Sequence, residues 1–150
     1  MKILALDLAT HTGFAHLDNG ELLSSGAWDY TRAKGEHYGH MYRKLEANLN
    51  AFDVDAVAFE AAHHRGGAAT RITTGMNAMV LKFAATNNLE VVSVHTMTLK
   101  KFATGSGKAK KPEMMVFASE KAGKEIIDDN EGDAIIVGFY ALNQLKPDPF

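Results

Sequence analysis

The chain lacks several features that would assign it to common functional classes. It contains no cysteine, which excludes disulfides, thiolate zinc sites and thiol nucleophiles. It has no apolar stretch near the roughly 18 residues of a transmembrane helix. It also has no excess of basic residues, and its net charge of −2 gives no overall attraction to nucleic acid. The N-terminus is a strand-like run that ends in an acid rather than a signal peptide. We therefore expect a cytoplasmic protein.

The 150 residues are expected to form a single domain with a sizeable core. Short apolar runs typical of buried strands occupy residues 2–8, 54–60 and 89–95. The dipeptide Asn19-Gly20 predicts a hairpin between strands 13–18 and 20–28. Helical patterns cover residues 36–52, 71–87, 96–104, 112–122 and 130–144, with Thr96 as a cap and Pro112 in a first turn. This order predicts a five-stranded mixed α/β sheet with an antiparallel edge, flanked by helices.

Three acidic residues stand out against apolar segments. Two of them are the last residue of a predicted strand, and the third lies on the apolar face of a predicted helix. Asp7 ends the first strand and Glu60 ends the run "VDAVAFE". Asp133 lies one turn inside "DDNEGDAIIVGFYAL", on the same helix face as Ile136. If the strands of Asp7 and Glu60 are parallel neighbours, both acids meet at the carboxyl edge, where open α/β sheets bind ligands. A helix packed over that edge would add Asp133.

Clustered carboxylates repel one another, so they either share protons or bind hard divalent cations. Two Mg²⁺ or Mn²⁺ ions about 3.5–4 Å apart would clamp a phosphodiester. The alternative is that the strand-end acids are solvated. Asp128, Asp129 and Glu131 are also explained by the dipole at the start of a helix, and we prefer this interpretation for Asp128 and Glu131.

A lysine-rich segment joins two predicted helices. Between residues 100 and 111 it contains five lysines and no acid: Lys100, Lys101, Lys108, Lys110 and Lys111. Such runs are usually solvated, but Gly105 and Gly107 make this one a loop suited to gripping phosphates. It is not a Walker loop, because it follows a helix and lacks the spacing.

Four segments together resemble the RuvC family of Holliday-junction resolvases, in the shorter form found in bacteriophages. They are "LALDLATHTGFA" (4–15), "VAFEAAHHRGGAATR" (57–71), "TLKKFATGSGKAKKPEMM" (98–115) and "DDNEGDAIIVGFYAL" (128–142). They occur in the family's order, at roughly its spacing, over most of the chain. The resemblance implies an RNase H-like fold and a metal-dependent endonuclease that resolves four-way junctions by paired nicks. If the protein is phage-encoded, it would act in the bacterial host cell.

The resemblance also implies a metal-ligand set. Four acids of that family hold two Mg²⁺ or Mn²⁺ ions, and Asp7, Glu60 and Asp133 fall on three of them. The fourth position is Asn130 here. The adjacent Asp129 shares a helix face with Asp133 at a spacing of four, so we predict Asp129 as the fourth ligand and Asn130 as an alternative neutral one.

The family's two functional lysines, eleven residues apart, match Lys100 and Lys111. The resemblance gives Lys111 the role nearer the scissile phosphate and Lys100 a supporting or DNA-binding role. A phenylalanine that stacks on junction bases is replaced by His63, which would stack more weakly or bond locally. The remaining predicted DNA contacts are Arg65, Lys101, Lys108 and Lys110. Leu8-Ala9 replaces the bacterial Pro-Gly, which favours a broader range of branched DNA, including forks.

Two symmetric nicks imply a homodimer with twofold symmetry. Helix 71–87, with Met76, Met79, Val80 and Phe83, is expected to form the dimer surface or to face the core, and one helix can do both. Two other functions fit the residues. One is an RNase of the YqgF type that trims ribosomal RNA precursors, and the other is a non-catalytic domain that binds branched nucleic acid. The lysine spacing and the segment "DDNEGDA" favour the resolvase.

Overall fold

A five-stranded mixed sheet forms the centre of the protein. The computed structural model describes residues 1–31, 38–61 and 67–146. The strands are β1 (Lys2–Asp7), β2 (His11–Asp18), β3 (Glu21–Asp29), β4 (Ala56–Glu60) and β5 (Glu90–Val94), in the spatial order β3-β2-β1-β4-β5. The first three strands are antiparallel, and β4 and β5 run parallel to β1. The predicted fold class is confirmed.

The predicted hairpin turn is also found. Asn19 and Gly20 have φ angles of 51° and 83°. A two-residue type I′ turn needs positive φ at both central positions, because only that twist matches the flanking strands.

Helices cover both faces of the sheet. They are α1 (Gly39–Asn50), α2 (Gly67–Thr86), α3 (Thr96–Thr104), α4 (Lys111–Ala122) and α5 (Asp129–Leu145). Each face of the sheet carries its own hydrophobic core. Alternate residues of β1 pack into one core or the other, since successive side chains of a strand point to opposite faces. Ile3 and Ala5 pack with α3, α4 and α5, whereas Leu4 and Leu6 pack with α1 and α2. No helix within the described ranges is long and apolar enough to span a membrane.

Three details of the sequence prediction are wrong. Helix α1 ends at Asn50 rather than at residue 52. Helix α2 begins at Gly67, so residues 67–70 are helical rather than loop. Thr96 does not cap α3: the N-cap is His95, and Thr96 is the first helical residue. Propensity places threonine at a cap, but here a tertiary partner binds the hydroxyl.

The apolar stripe of α2 faces the core of its own chain. Met76, Val80 and Phe83 are buried and Met79 is partly buried, in the same cluster as Leu45 of α1. The core-facing interpretation of this stripe is confirmed. A dimer surface on the same helix stays a prediction.

Candidate functional site

Three strands end together at one edge of the sheet. In the parallel pair of β1 and β4, Leu6 lies opposite Phe59, so Asp7 and Glu60 come next at the same end. Glu60 lies opposite Val94, the last residue of β5. The sequence prediction required these strands to be parallel neighbours, and they are.

Helix α5 brings Asp133 to this edge. Its N-cap is Asp128, whose Oδ1 accepts hydrogen bonds from the N–H groups of Asn130 (2.8 Å) and Glu131 (2.9 Å). The interpretation of Asp128 as a helix-start acid is therefore confirmed. Glu131 additionally accepts a 2.7 Å hydrogen bond from Ser25 Oγ of β3, which ties the start of α5 to the sheet. No sequence pattern pointed to Ser25, which lies 106 residues away.

The start of α5 lies directly on the backbone of β2. Gly13 is paired with Asp7 across the sheet. A Cβ at Gly13 would lie 1.8 Å from the carbonyl oxygen of Asn130, far inside contact distance. Only glycine allows the helix to come this close beside Asp7, so Gly13 sets the depth at which α5 and its acids sit.

Gly13→Ala is therefore expected to lower the free energy of unfolding by about 2–3 kcal/mol, because the added methyl meets backbone atoms that must move. Urea unfolding measures this. Gly39→Ala is the matched control, since a Cβ there meets nothing within 4 Å. A Gly13→Ala protein as stable as the wild type would show that the close approach is not needed.

Lys111, the first residue of α4, forms an ion pair with the last of the three acids. Its Nζ lies 2.7 Å from Asp133 Oδ2, and the two side chains are 44% and 19% exposed. Burial alone lowers the pKa of Lys111, but the hydrogen bond and the charges of Asp133, Asp129 and Asp7 together raise it above its ordinary value. The ammonium is therefore held in its charged form among the acids.

The acids at the edge perturb one another. Burial and the charges of Asp133 and Glu60 together raise the pKa of Asp7 to about 8, against the opposing charge of Lys111. Burial also raises the pKa of Asp133, although its hydrogen bond to Lys111 works in the other direction. Such coupling of buried carboxyl groups is typical of functional sites, although structural networks also produce it.

The predicted residues at the start of α5 have different positions. Asp129 is exposed, and its charge acts on both Lys111 and Asp133. Asn130 takes part through its backbone, whose N–H binds Asp128 and whose carbonyl packs on Gly13.

A cavity of about 500 Å³ adjoins the acids. It is lined by Glu60, Thr96, Leu99, Lys100, Lys108, Ala109, Lys110, Lys111, Met114, Asp133 and Ile136. Four of the five lysines predicted from the basic segment therefore surround it. Lys101 does not: it lines a different hollow with Met97 and Tyr140. The predicted contacts His63 and Arg65 lie outside the described residues.

The side chains at this edge include the carboxylates of Asp7, Glu60 and Asp133, which are candidate ligands for a divalent cation. In residues 1–31, 38–61 and 67–146, no three histidine, aspartate or glutamate side chains are close enough, as they stand, to hold one metal ion. The chemistry of the donors nevertheless suits a hard cation, because they are all carboxylate oxygens. Their repulsion, which contributes to the raised pKa of Asp7, would be relieved by added positive charge. In this arrangement the ammonium of Lys111 supplies such a charge.

The fold is shared with Holliday-junction resolvases of low sequence identity. T. thermophilus RuvC in complex with Holliday junction substrate matches with a TM-score of 0.77 at 19% identity, over 96% of each chain. A second Thermus thermophilus RuvC structure matches with a TM-score of 0.73 at 21% identity, over 96% of this chain and 97% of that chain. A complex of fowlpox virus resolvase with substrate Holliday junction DNA matches with a TM-score of 0.68 at 15% identity, over 98% of this chain and 100% of that chain.

By sequence, no family model and no curated protein matches. At these identities the likeness establishes a RuvC-type, RNase H-like fold.

Proposed function

We propose that this protein is a metal-dependent endonuclease that cuts branched DNA, with four-way Holliday junctions as its main substrate. One observation carries the proposal. Asp7, Glu60 and Asp133 come from three distant parts of the chain and lie within charge-coupling range at the carboxyl edge of the sheet. That edge belongs to a fold shared with RuvC and with the fowlpox virus resolvase.

The lysines around the cavity would bind the phosphates of the DNA backbone. Lys108 and Lys110 are exposed and Lys100 is partly exposed, so their ammonium groups are available to phosphates, which position a protein on DNA without reading sequence. Because this positive charge lies beside the acids in a slightly acidic protein, phosphate binding would be confined to one face. Within that face, Lys111 would contact the phosphate to be cut.

Asp7, Glu60 and Asp133, with Asp129 as the fourth acid, would hold Mg²⁺ or Mn²⁺. Divalent cations bound there would activate water and stabilise the leaving oxygen. Residues of this chain position the site. Gly13 allows α5 to pack closely against β2, and Asp128 and Ser25 hold the first turn of α5. The ammonium of Lys111, which is paired with Asp133, would pair with a bound phosphate instead. Paired nicks would come from a homodimer with twofold symmetry.

Cleavage of a synthetic four-way junction tests the proposal. The labelled junction is incubated with the protein in Mg²⁺, in Mn²⁺ and in chelator, beside a fork and a linear duplex of the same sequence. We expect nicks on two opposing strands with either cation, and none in chelator. Cleavage of duplex RNA in preference to the junction would instead support the YqgF-type RNase.

A second function is favoured by a specific observation. Lys111 already neutralises Asp133 at 2.7 Å, and no three acids of the described residues form a coordination shell as they stand. A non-catalytic domain that binds branched nucleic acid would have these properties. Tight junction binding without any cutting in Mg²⁺ or Mn²⁺ would support it over the nuclease.

Lys111→Ala is expected to slow junction cleavage by about 100-fold, because a cation that stabilises developing phosphate charge is lost. Stability should change by less than about 1 kcal/mol, since partly exposed ion pairs contribute little. Single-turnover cleavage and urea unfolding measure the two effects. Lys82→Ala, which removes a lysine of α2 that lies beside Glu46 of α1 and away from the cavity, is the matched control. If Lys111→Ala lowers the free energy of unfolding enough to account for its loss of cleavage, the lysine has a structural role.

A further inference from the structure

Thr96 contacts the candidate site in a way that its sequence position does not predict. It is the first residue of α3, directly after β5 and His95. Its Oγ1 donates a hydrogen bond to Glu60 Oε1, 36 residues away. The two side chains also line the same cavity as Asp133 and Lys111. The hydroxyl therefore serves the acid rather than the start of its own helix.

The backbone keeps this pair in register. Beyond the last pair of β4 and β5, the N–H of Ala61 donates to the carbonyl of Val94 at 2.8 Å. The sheet ladder thus continues past Glu60, up to the point where the chain turns into α3. Because both anchors are main-chain structure, Thr96 is fixed relative to the base of the Glu60 side chain.

Glu60 needs such a constraint more than the other acids do. Glutamate has one more rotatable bond than aspartate, so it loses more freedom when it is ordered. The charges of Glu60, Asp7 and Asp133 also interact unfavourably, which favours rotation of the longest side chain away from the others. A donor at a fixed position opposes that rotation, and such partners of metal-binding carboxylates orient them.

We propose that Thr96 is a positioning residue whose hydroxyl holds the Glu60 carboxylate at the carboxyl edge, beside the acids with which it would share a divalent cation. This role rests on the proposed nuclease function. Thr96 itself does not touch the reacting phosphate. It acts through Glu60, so its effect should appear in cation binding as well as in cleavage.

The test uses Mn²⁺ itself as the probe. Thr96→Val keeps the shape of the side chain and removes the hydroxyl, whereas Thr96→Ser keeps the hydroxyl. Electron paramagnetic resonance measures free Mn²⁺ in titrations of the full chain, and thermal unfolding in chelator reports the fold. We expect Thr96→Val to weaken Mn²⁺ binding about 10-fold, as the loss of such a partner typically does. Thr96→Ser should remain close to the wild type. Thr96→Ala provides the same readout if the valine variant does not fold.

The alternative outcomes are distinct. Wild-type Mn²⁺ affinity in Thr96→Val, with the wild type binding Mn²⁺ and cutting junctions, overturns the role of Thr96 alone. Equal losses in the serine and valine variants, each with a lower unfolding temperature, also overturn it, because they indicate packing rather than the hydroxyl. A wild-type protein that neither binds Mn²⁺ nor cuts overturns the proposed function, and the positioning role with it.

Discussion

Asp7→Asn is expected to reduce junction cleavage by at least about 10³-fold while junction binding is preserved. Replacing the carboxylate by an amide leaves the shape of the site but removes an anionic ligand that the cations require. The lysines that would contact phosphate lie around the neighbouring cavity and are unchanged. Glu60→Gln and Asp133→Asn are expected to behave in the same way. Single-turnover cleavage in Mg²⁺ and gel-shift titration in chelator measure the two properties separately.

Asp53→Asn is the matched control for this substitution. The side chain of Asp53 is fully exposed, and its ion pair with Lys2 is long at 3.8 Å, so the same chemical change should leave cleavage unaffected. Substantial turnover in Asp7→Asn or Asp133→Asn would contradict the assigned roles. A parallel loss of junction binding would instead mean that the substitution disturbs the surface that holds DNA.

The stability of the protein in chelator is expected to fall as the pH rises from about 4 to about 8. The pKa of Asp7 is raised from 3.8 to about 8 in the folded protein, by burial and then by the charges of Asp133 and Glu60. Between these values the folded state holds a proton that the unfolded state releases, so increasing pH favours unfolding. This rise in the pKa of Asp7 corresponds to at most about 6 kcal/mol. The raised pKa of Asp133 acts in the same direction.

Lys111 does not alter this pH window. Its folded pKa lies above the ordinary 10.5, so its stabilising contribution is complete below pH 10.5 and is lost only as the pH rises through that higher value. The slope that Asp7 and Asp133 produce between pH 4 and 8 is therefore not offset by Lys111.

Asp7→Asn should remove most of this slope. At pH 8 the variant is expected to be more stable than the wild type by several kcal/mol, within the limit of about 6 kcal/mol set by the pKa shift. Near pH 4 the two proteins should converge. Urea unfolding at pH values from 4.5 to 9, in chelator, measures the difference. A wild type of constant stability over this range, or a variant destabilised at pH 8, would contradict the raised pKa of Asp7.

Added Mg²⁺ should stabilise the wild type more than the variant at pH 8, because the bound cation would balance the negative charge that Asp7 acquires when it loses its proton.

The opposite effects expected from this one substitution have a common cause. Asp7 is partly buried beside two other acids, an arrangement that costs stability and is typical of functional sites. An asparagine would satisfy the strand equally well. The presence of an acid there is therefore better explained by binding of positive charge than by folding.

The local pattern of apolar residues and turn residues is sufficient to predict much of the fold. Apolar runs identify β1, β4 and β5, because strands covered on both faces need continuous hydrophobic sequence. Asn19-Gly20 identifies the hairpin, because few residue pairs adopt two positive φ angles. The same runs identify Asp7 and Glu60, since an acid that ends a buried strand interrupts an otherwise uniform pattern.

Only the tertiary structure decided which side chains meet. The bonds from Lys111 to Asp133, from Thr96 to Glu60 and from Ser25 to Glu131 join residues 22, 36 and 106 positions apart. Residue propensities reflect only interactions with the neighbouring backbone, so they predict Thr96 as a helix cap. Packing of α3, α4 and α5 over the strand ends gave that hydroxyl a stronger partner, a carboxylate. The sequence alone thus determined the sheet and its unusual acids, whereas the partners of those acids depend on how helices distant in the chain pack together.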